Sequence, residues 1–174
     1  MHQTYKMMKK ISKTLCVMML ATMMAGLFIQ CSNYTPTEKD LPIETLTDLQ
    51  TIFPKAMYVE MTETATYVVK DKAGKAIGHV LLSSPYSDNI IGFNGPTPLQ
   101  ISLDRNSKII DVKVLDNEET PRFLNRVVEA GFLDSWNGMT VKEALDKEVD
   151  AVSGATFSSK AIQKSLKIRL ESSK

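Results

Sequence analysis

The hydrophobic pattern changes period at Thr120-Pro121, and that change constrains the fold class more than any other feature. Before it, Leu99, Ile101 and Leu103 alternate with polar residues, Asp104-Arg105-Asn106-Ser107 makes a turn, and Ile110, Val112 and Val114 alternate with Asp111 and Lys113. Alternation of this kind is a strand with one face in the core, and two such strands about a turn are a hairpin. Residues 65–70 and 77–82, joined by Asp71-Lys72-Ala73-Gly74, predict another hairpin. After Pro121 the apolar residues recur at helical spacing: Phe123, Leu124, Val127 and Val128 form one stripe, closed by Gly131. Thr140 and Glu143 make a capping box for a helix over 141–145. A last helix over 158–171 turns Ile162, Leu166 and Leu170 inward and Lys160, Lys164 and Lys167 outward. Upstream, Leu46, Leu49, Ile52 and Phe53 mark a short helix that Pro54 stops. The expected fold is α+β, a small antiparallel sheet of two hairpins packed with C-terminal helices.

Residue counts then exclude several chemistries. From Ser32 onward there is no cysteine, which removes intrachain disulfides, iron–sulfur clusters, cysteine zinc sites and covalent haem attachment. His79 is the one histidine in that part, so a multi-histidine metal site is impossible. On its strand, His79 reads as a structural residue. The formal charge of +1 gives no basic excess of the kind nucleic acid requires. What remains is chemistry by hydroxyls, carboxylates, lysines, backbone amides or a borrowed cofactor.

The N-terminal residues read as an address. Lys6, Lys9, Lys10 and Lys13 precede an uncharged run over 15–29, the order of a secretory signal. The run is short for a membrane span, which needs about 20 apolar residues. Cys31 follows at once, and the segment resembles the lipobox of bacterial lipoproteins, with Gln30 and Phe28 in place of the usual small residue and leucine. That resemblance implies a lipid on Cys31; an uncleaved anchor and an ordinary signal are the alternatives. All three place the domain outside the cytoplasmic membrane, and the lipoprotein reading expects it exported and attached to a bacterial membrane, on the periplasmic or cell-surface side. The organisation expected is a signal and lipobox segment over 1–31, a polar tether with two prolines over 32–43, and one domain over 44–174.

The most unusual segment is Asp150-Ala151-Val152-Ser153-Gly154-Ala155-Thr156-Phe157-Ser158-Ser159. Small residues lead from a short apolar piece into a helix. They allow close approach to the backbone, where free amides and the positive end of the helix dipole favour an anion such as phosphate. Lys160 adds a cation nearby. The same residues are equally those of an ordinary helix cap.

Asp150 to Thr156 resembles the flavinylation motif Asp-x-x-(Ser/Thr)-Gly-Ala-Thr of the FMN-binding domain family at every defined position. That family includes the FMN-carrying subunits of sodium-pumping NADH:quinone reductases and Rnf-type complexes. Gly92-Phe93-Asn94-Gly95-Pro96-Thr97-Pro98-Leu99 is similar to its entry into a sheet strand, and Glu119-Thr120-Pro121 to its Glu-Thr-Pro motif. The resemblance covers about 65–171, with Arg122 where many members have glycine. It implies FMN attached covalently to Thr156 through a phosphoester, by a flavin transferase that uses FAD. It further implies that Ser153, Gly154 and Ala155 face the phosphate and that Asp150 is read by the transferase. Glu119 and Thr120 would hydrogen-bond the ribityl chain or ring edge, a simple cap being the alternative. Phe157 is read either as packing on the flavin or as core. The function implied is an extracytoplasmic, membrane-anchored electron carrier that works with a membrane redox partner or quinone-linked protein. A binding lipoprotein that has lost its flavin, and a small extracytoplasmic flavin reductase, are the alternatives.

Overall fold

A computed structural model of the chain describes residues 35–36, 40–42 and 48–173. Cys31, the whole of 1–31 and most of the expected tether lie outside the described residues. Six strands form one antiparallel meander in chain order: β1 (Asp40–Pro42), β2 (Tyr58–Glu63), β3 (Thr66–Lys70), β4 (Ala76–Leu82), β5 (Leu99–Asp104) and β6 (Ile109–Val114). The helices are α1 (Leu49–Ile52), α2 (Pro121–Glu129), α3 (Val141–Asp146) and α4 (Thr156–Glu171), with a 3-10 turn at Leu133–Trp136. None of the helices among the described residues is long and apolar enough to cross a membrane.

The two expected hairpins, β3–β4 and β5–β6, are neighbours in this one sheet. The structure adds β2 and β1 beyond β3. Part of the segment read as a tether is therefore a strand: Asp40 pairs with Glu60 and Pro42 with Tyr58. Proline is tolerated there because β1 is an edge strand.

The pleat sends alternate residues to opposite faces, and both faces carry a core. Leu81, Leu99, Ile101, Leu103, Ile109 and Val112 meet Val127, Trp136, Ile162, Leu166 and Leu170 from the C-terminal elements. Val80, Val59 and Val69 meet Leu49, Phe53 and Ala56 on the other side. A Cβ on Gly78 would lie 2.2 Å from a Phe53 ring carbon, so that glycine is the seat of Phe53, which caps the end of α1. β5, between β4 and β6, is buried from Leu99 to Leu103, with Ile101 between Leu81 and Val112. Fully burying each of Ile162, Leu166 and Leu170 stabilises the domain by about 1.5–3 kcal/mol, which holds α4 on the sheet.

The helix boundaries follow their caps. Thr140 Oγ accepts from the Glu143 amide while the Glu143 carboxylate accepts from the Thr140 amide, the expected capping box. Gly131, at φ +66°, follows the end of α2. α4 begins at Thr156, two residues earlier than its apolar stripe predicts. Trp136, in the 3-10 turn, is fully buried and meets Phe132 edge to face at 5.3 Å.

Candidate functional site

The site grows from the turn that opens α4. The Ala155 amide donates to Val152 O at 3.0 Å, and Gly154 adopts φ +74°, a left-handed conformation that favours glycine. Ser159 ties the turn down: its hydroxyl accepts from the Val152 amide at 3.1 Å and donates to Ala155 O at 2.9 Å. The N-cap position itself is held by Ala155, which has no side-chain oxygen to offer. The amides of Thr156, Phe157 and Ser158 are thus left without acceptors among the described residues, at the positive end of a sixteen-residue helix.

Thr156, Ser153 and Gly154 are exposed on this turn, and Ala155 is buried beneath them. Ser158 is fully buried, yet it lines the adjoining cleft and its hydroxyl has no hydrogen-bond partner. Asp150 is exposed, a few residues ahead of the turn.

The cleft, of about 270 Å³, is walled by Phe93, Phe123, Phe157 and the turn itself. Phe93 and Phe123 meet edge to face with centroids 4.5 Å apart. Phe157 is 69% exposed and Phe93 56%, so neither is a core residue. Large aromatic side chains held in water beside a row of free amides mark a binding surface for something partly apolar and partly anionic.

Glu119 holds the loop that brings Phe93 to this cleft. Its carboxylate is buried and accepts from the backbone amides of Phe93 (2.8 Å), Asn94 (3.0 Å) and Thr120 (2.9 Å). Asn94 reinforces the clamp by donating to Glu118 O at 2.7 Å. The sequence pointed Glu119 toward a ligand; in the structure its oxygens are committed to the loop that carries Phe93. Thr120 is the N-cap of α2, but its side chain makes no capping hydrogen bond.

The cation beside the turn is Arg126, which the sequence reading missed. A Cβ on Gly154 would lie 2.0 Å from Arg126 Nη1. Arg126 is exposed on α2, and no hydrogen bond or ion pair holds its side chain among the described residues. Arg122, singled out by sequence, is exposed one helical turn before Arg126 and does not line the cleft. Lys160 lines a different groove with Glu148, Lys164 and Lys167. The signal for Arg126 was its i+4 spacing from Arg122 on the helix that follows Glu119-Thr120-Pro121.

An exposed hydroxyl, three unpartnered amides, a free guanidinium and an orphaned buried hydroxyl fit a phosphate, and the three phenylalanines fit an aromatic ring system. Compared with known proteins, residues 92–171 match the family model of the FMN-binding domain. No curated protein matches the chain.

Proposed function

We propose, starting from a chain whose residues 92–171 make up an FMN-binding domain, that the flavin is attached covalently through its phosphate to Thr156. The observation that carries this reading is the exposed Thr156 at the first position of an uncapped helix, beside the phenylalanine-walled cleft. In the attachment, Thr156 Oγ bonds the FMN phosphorus of FAD. The P–O–P bond breaks, AMP leaves, and the hydroxyl proton passes to the transferase. Ser153 and the free amides of the turn receive the phosphate oxygens. Asp150, exposed ahead of the turn, is available to the transferase. Phe93, Phe123 and Phe157 hold the apolar part of the ring system.

When bound, the flavin supplies the redox chemistry, and the protein supplies its position and electrostatics. The cleft is smaller than the roughly 300–1,000 Å³ usual for small-molecule sites. It suits a tethered ring that gives and takes electrons at the surface better than a flavin stacked on an enclosed substrate. This favours an electron carrier over a self-sufficient reductase. A carrier tethered by the lipid expected on Cys31 would work outside the cytoplasmic membrane, where a covalent bond prevents loss of FMN. Intact-protein mass after co-expression with a flavin transferase tests the reading: one FMN, less one water, per chain is expected, and an unmodified chain would overturn it.

A further inference from the structure

The Thr156 assignment leaves two groups unexplained. Arg126 has an unpaired guanidinium over Gly154, in the space that a Cβ there would take. Ser158 lines the same cleft, and its hydroxyl is fully buried and lacks a partner. A buried hydroxyl without a partner is destabilising unless something accepts its hydrogen bond. A guanidinium free of carboxylates beside a helix start has the planar fork that recognises phosphate oxygens. The two come from different elements, α2 and α4, and converge on one turn.

We propose that Arg126 and Ser158 are the phosphate clamp of this domain. Arg126 neutralises the charge of the phosphodiester from above Gly154, and Ser158 donates its hydroxyl from the cleft wall. This rests on Thr156 being the attachment point. It adds that the chain holds the phosphate through a residue outside the motif, and it gives Gly154 a second reason to be glycine: a side chain there would displace the guanidinium.

The test uses the full chain with a limiting amount of flavin transferase and FAD, followed by intact mass over time, and phosphorus NMR on the purified labelled protein. Arg126→Met should be labelled about tenfold to a hundredfold more slowly, the loss expected for a charge-assisted hydrogen bond. Its phosphodiester resonance should move away from that of the parent. Arg126→Lys, which keeps charge but not the fork, should fall between the two. Ser158→Ala should also move the resonance of the labelled protein, while the thermal stability of the unlabelled protein stays equal or rises, because there it removes an orphaned polar atom. A parent-like rate and resonance in Arg126→Met would overturn the clamp and leave Thr156 standing. Slower labelling with an unmoved resonance would also overturn it, by showing that only the transferase reads Arg126. A parent that takes no flavin would overturn both readings, which separates that failure from the other two.

Discussion

The Glu119 carboxylate occupies the space that a side chain on Gly92 would need: a Cβ there would lie 2.0 Å from Oε2. The glycine is required for room. The Gly92 amide donates to Gly95 O at 2.8 Å, which closes the loop around the carboxylate. The adjoining amides of Phe93 and Asn94 then point at the two carboxylate oxygens.

Glu119→Gln should therefore destabilise the domain although it is nearly isosteric. Both carboxylate oxygens accept backbone N–H groups, so the new NH2 must face a donor on one side. At least one amide loses its acceptor, at a cost of about 1–3 kcal/mol. Chemical denaturation measures the loss. The same variant should loosen Phe93, so flavin fluorescence in the labelled protein should change while the Thr156 linkage remains. Unchanged stability would show that the carboxylate is not the clamp.

Arg169 is the second polar anchor. It is 1% exposed and lies under the Tyr86 ring at 4.7 Å. Nε donates to Leu82 O at 2.7 Å, and Nη2 to Ala65 O at 3.0 Å and to Thr66 Oγ at 2.6 Å. Burial pushes its guanidinium down from the ordinary value, so the hydrogen bonds must offset that desolvation. Arg169→Lys keeps the charge but cannot reach three acceptors at once. A loss of about 1–3 kcal/mol is expected, since Leu82 O and Thr66 Oγ lose the guanidinium while Ala65 O keeps the Leu82 amide. A lysine variant as stable as the parent in urea would contradict this.

The hairpins and helix caps could be read from sequence because their determinants are local. Alternation marks β5 and β6, and Thr140 lies three residues from Glu143. β2 could not: of its residues only Val59 is buried, so no alternation shows. β1 exists because β2 offers it an edge. The same distinction divides the site. Thr156 sits in a contiguous motif, and the sequence singled it out. Arg126 joins the site only through space, from a separate helix, and Glu119 acts on amides 25 and 26 residues away. No contiguous motif encodes either contact.

Acid titration should show two opposing contributions. Hydrogen bonds from the Thr140 backbone and hydroxyl hold the Glu143 carboxyl below its ordinary value. Its stabilisation is present above the unfolded value of about 4.3 and is lost as pH falls through the lower folded one. Asp111 runs the other way, because burial pushes its carboxyl up. It binds its proton more tightly when folded, so stability falls as pH rises from about 3.9 through the higher folded value. Glu143→Gln should flatten the acid-side loss, and Asp111→Asn should raise stability at neutral pH. Urea midpoints across pH 3 to 7, at about half-unit steps, would reverse this assignment if Asp111→Asn lowered stability at pH 7.

The strongest prediction concerns the Thr156 oxygen. Thr156 is exposed at the first position of α4, and threonine and valine have similar helix propensity. Thr156→Val should therefore leave stability within about 0.5 kcal/mol of the parent while covalent flavin disappears. In-gel fluorescence after denaturation should be present in the parent, absent in the valine variant and partly retained in Thr156→Ser. Gly154→Ala should fail differently. It forces a side chain into φ +74° and into the Arg126 guanidinium, which costs about 1–2 kcal/mol for the backbone alone. Labelling and stability should then fall together, whereas Thr156→Val separates them. A valine variant that stayed fluorescent after denaturation would place the attachment on another residue, and the free amides at the start of α4 would need a different ligand.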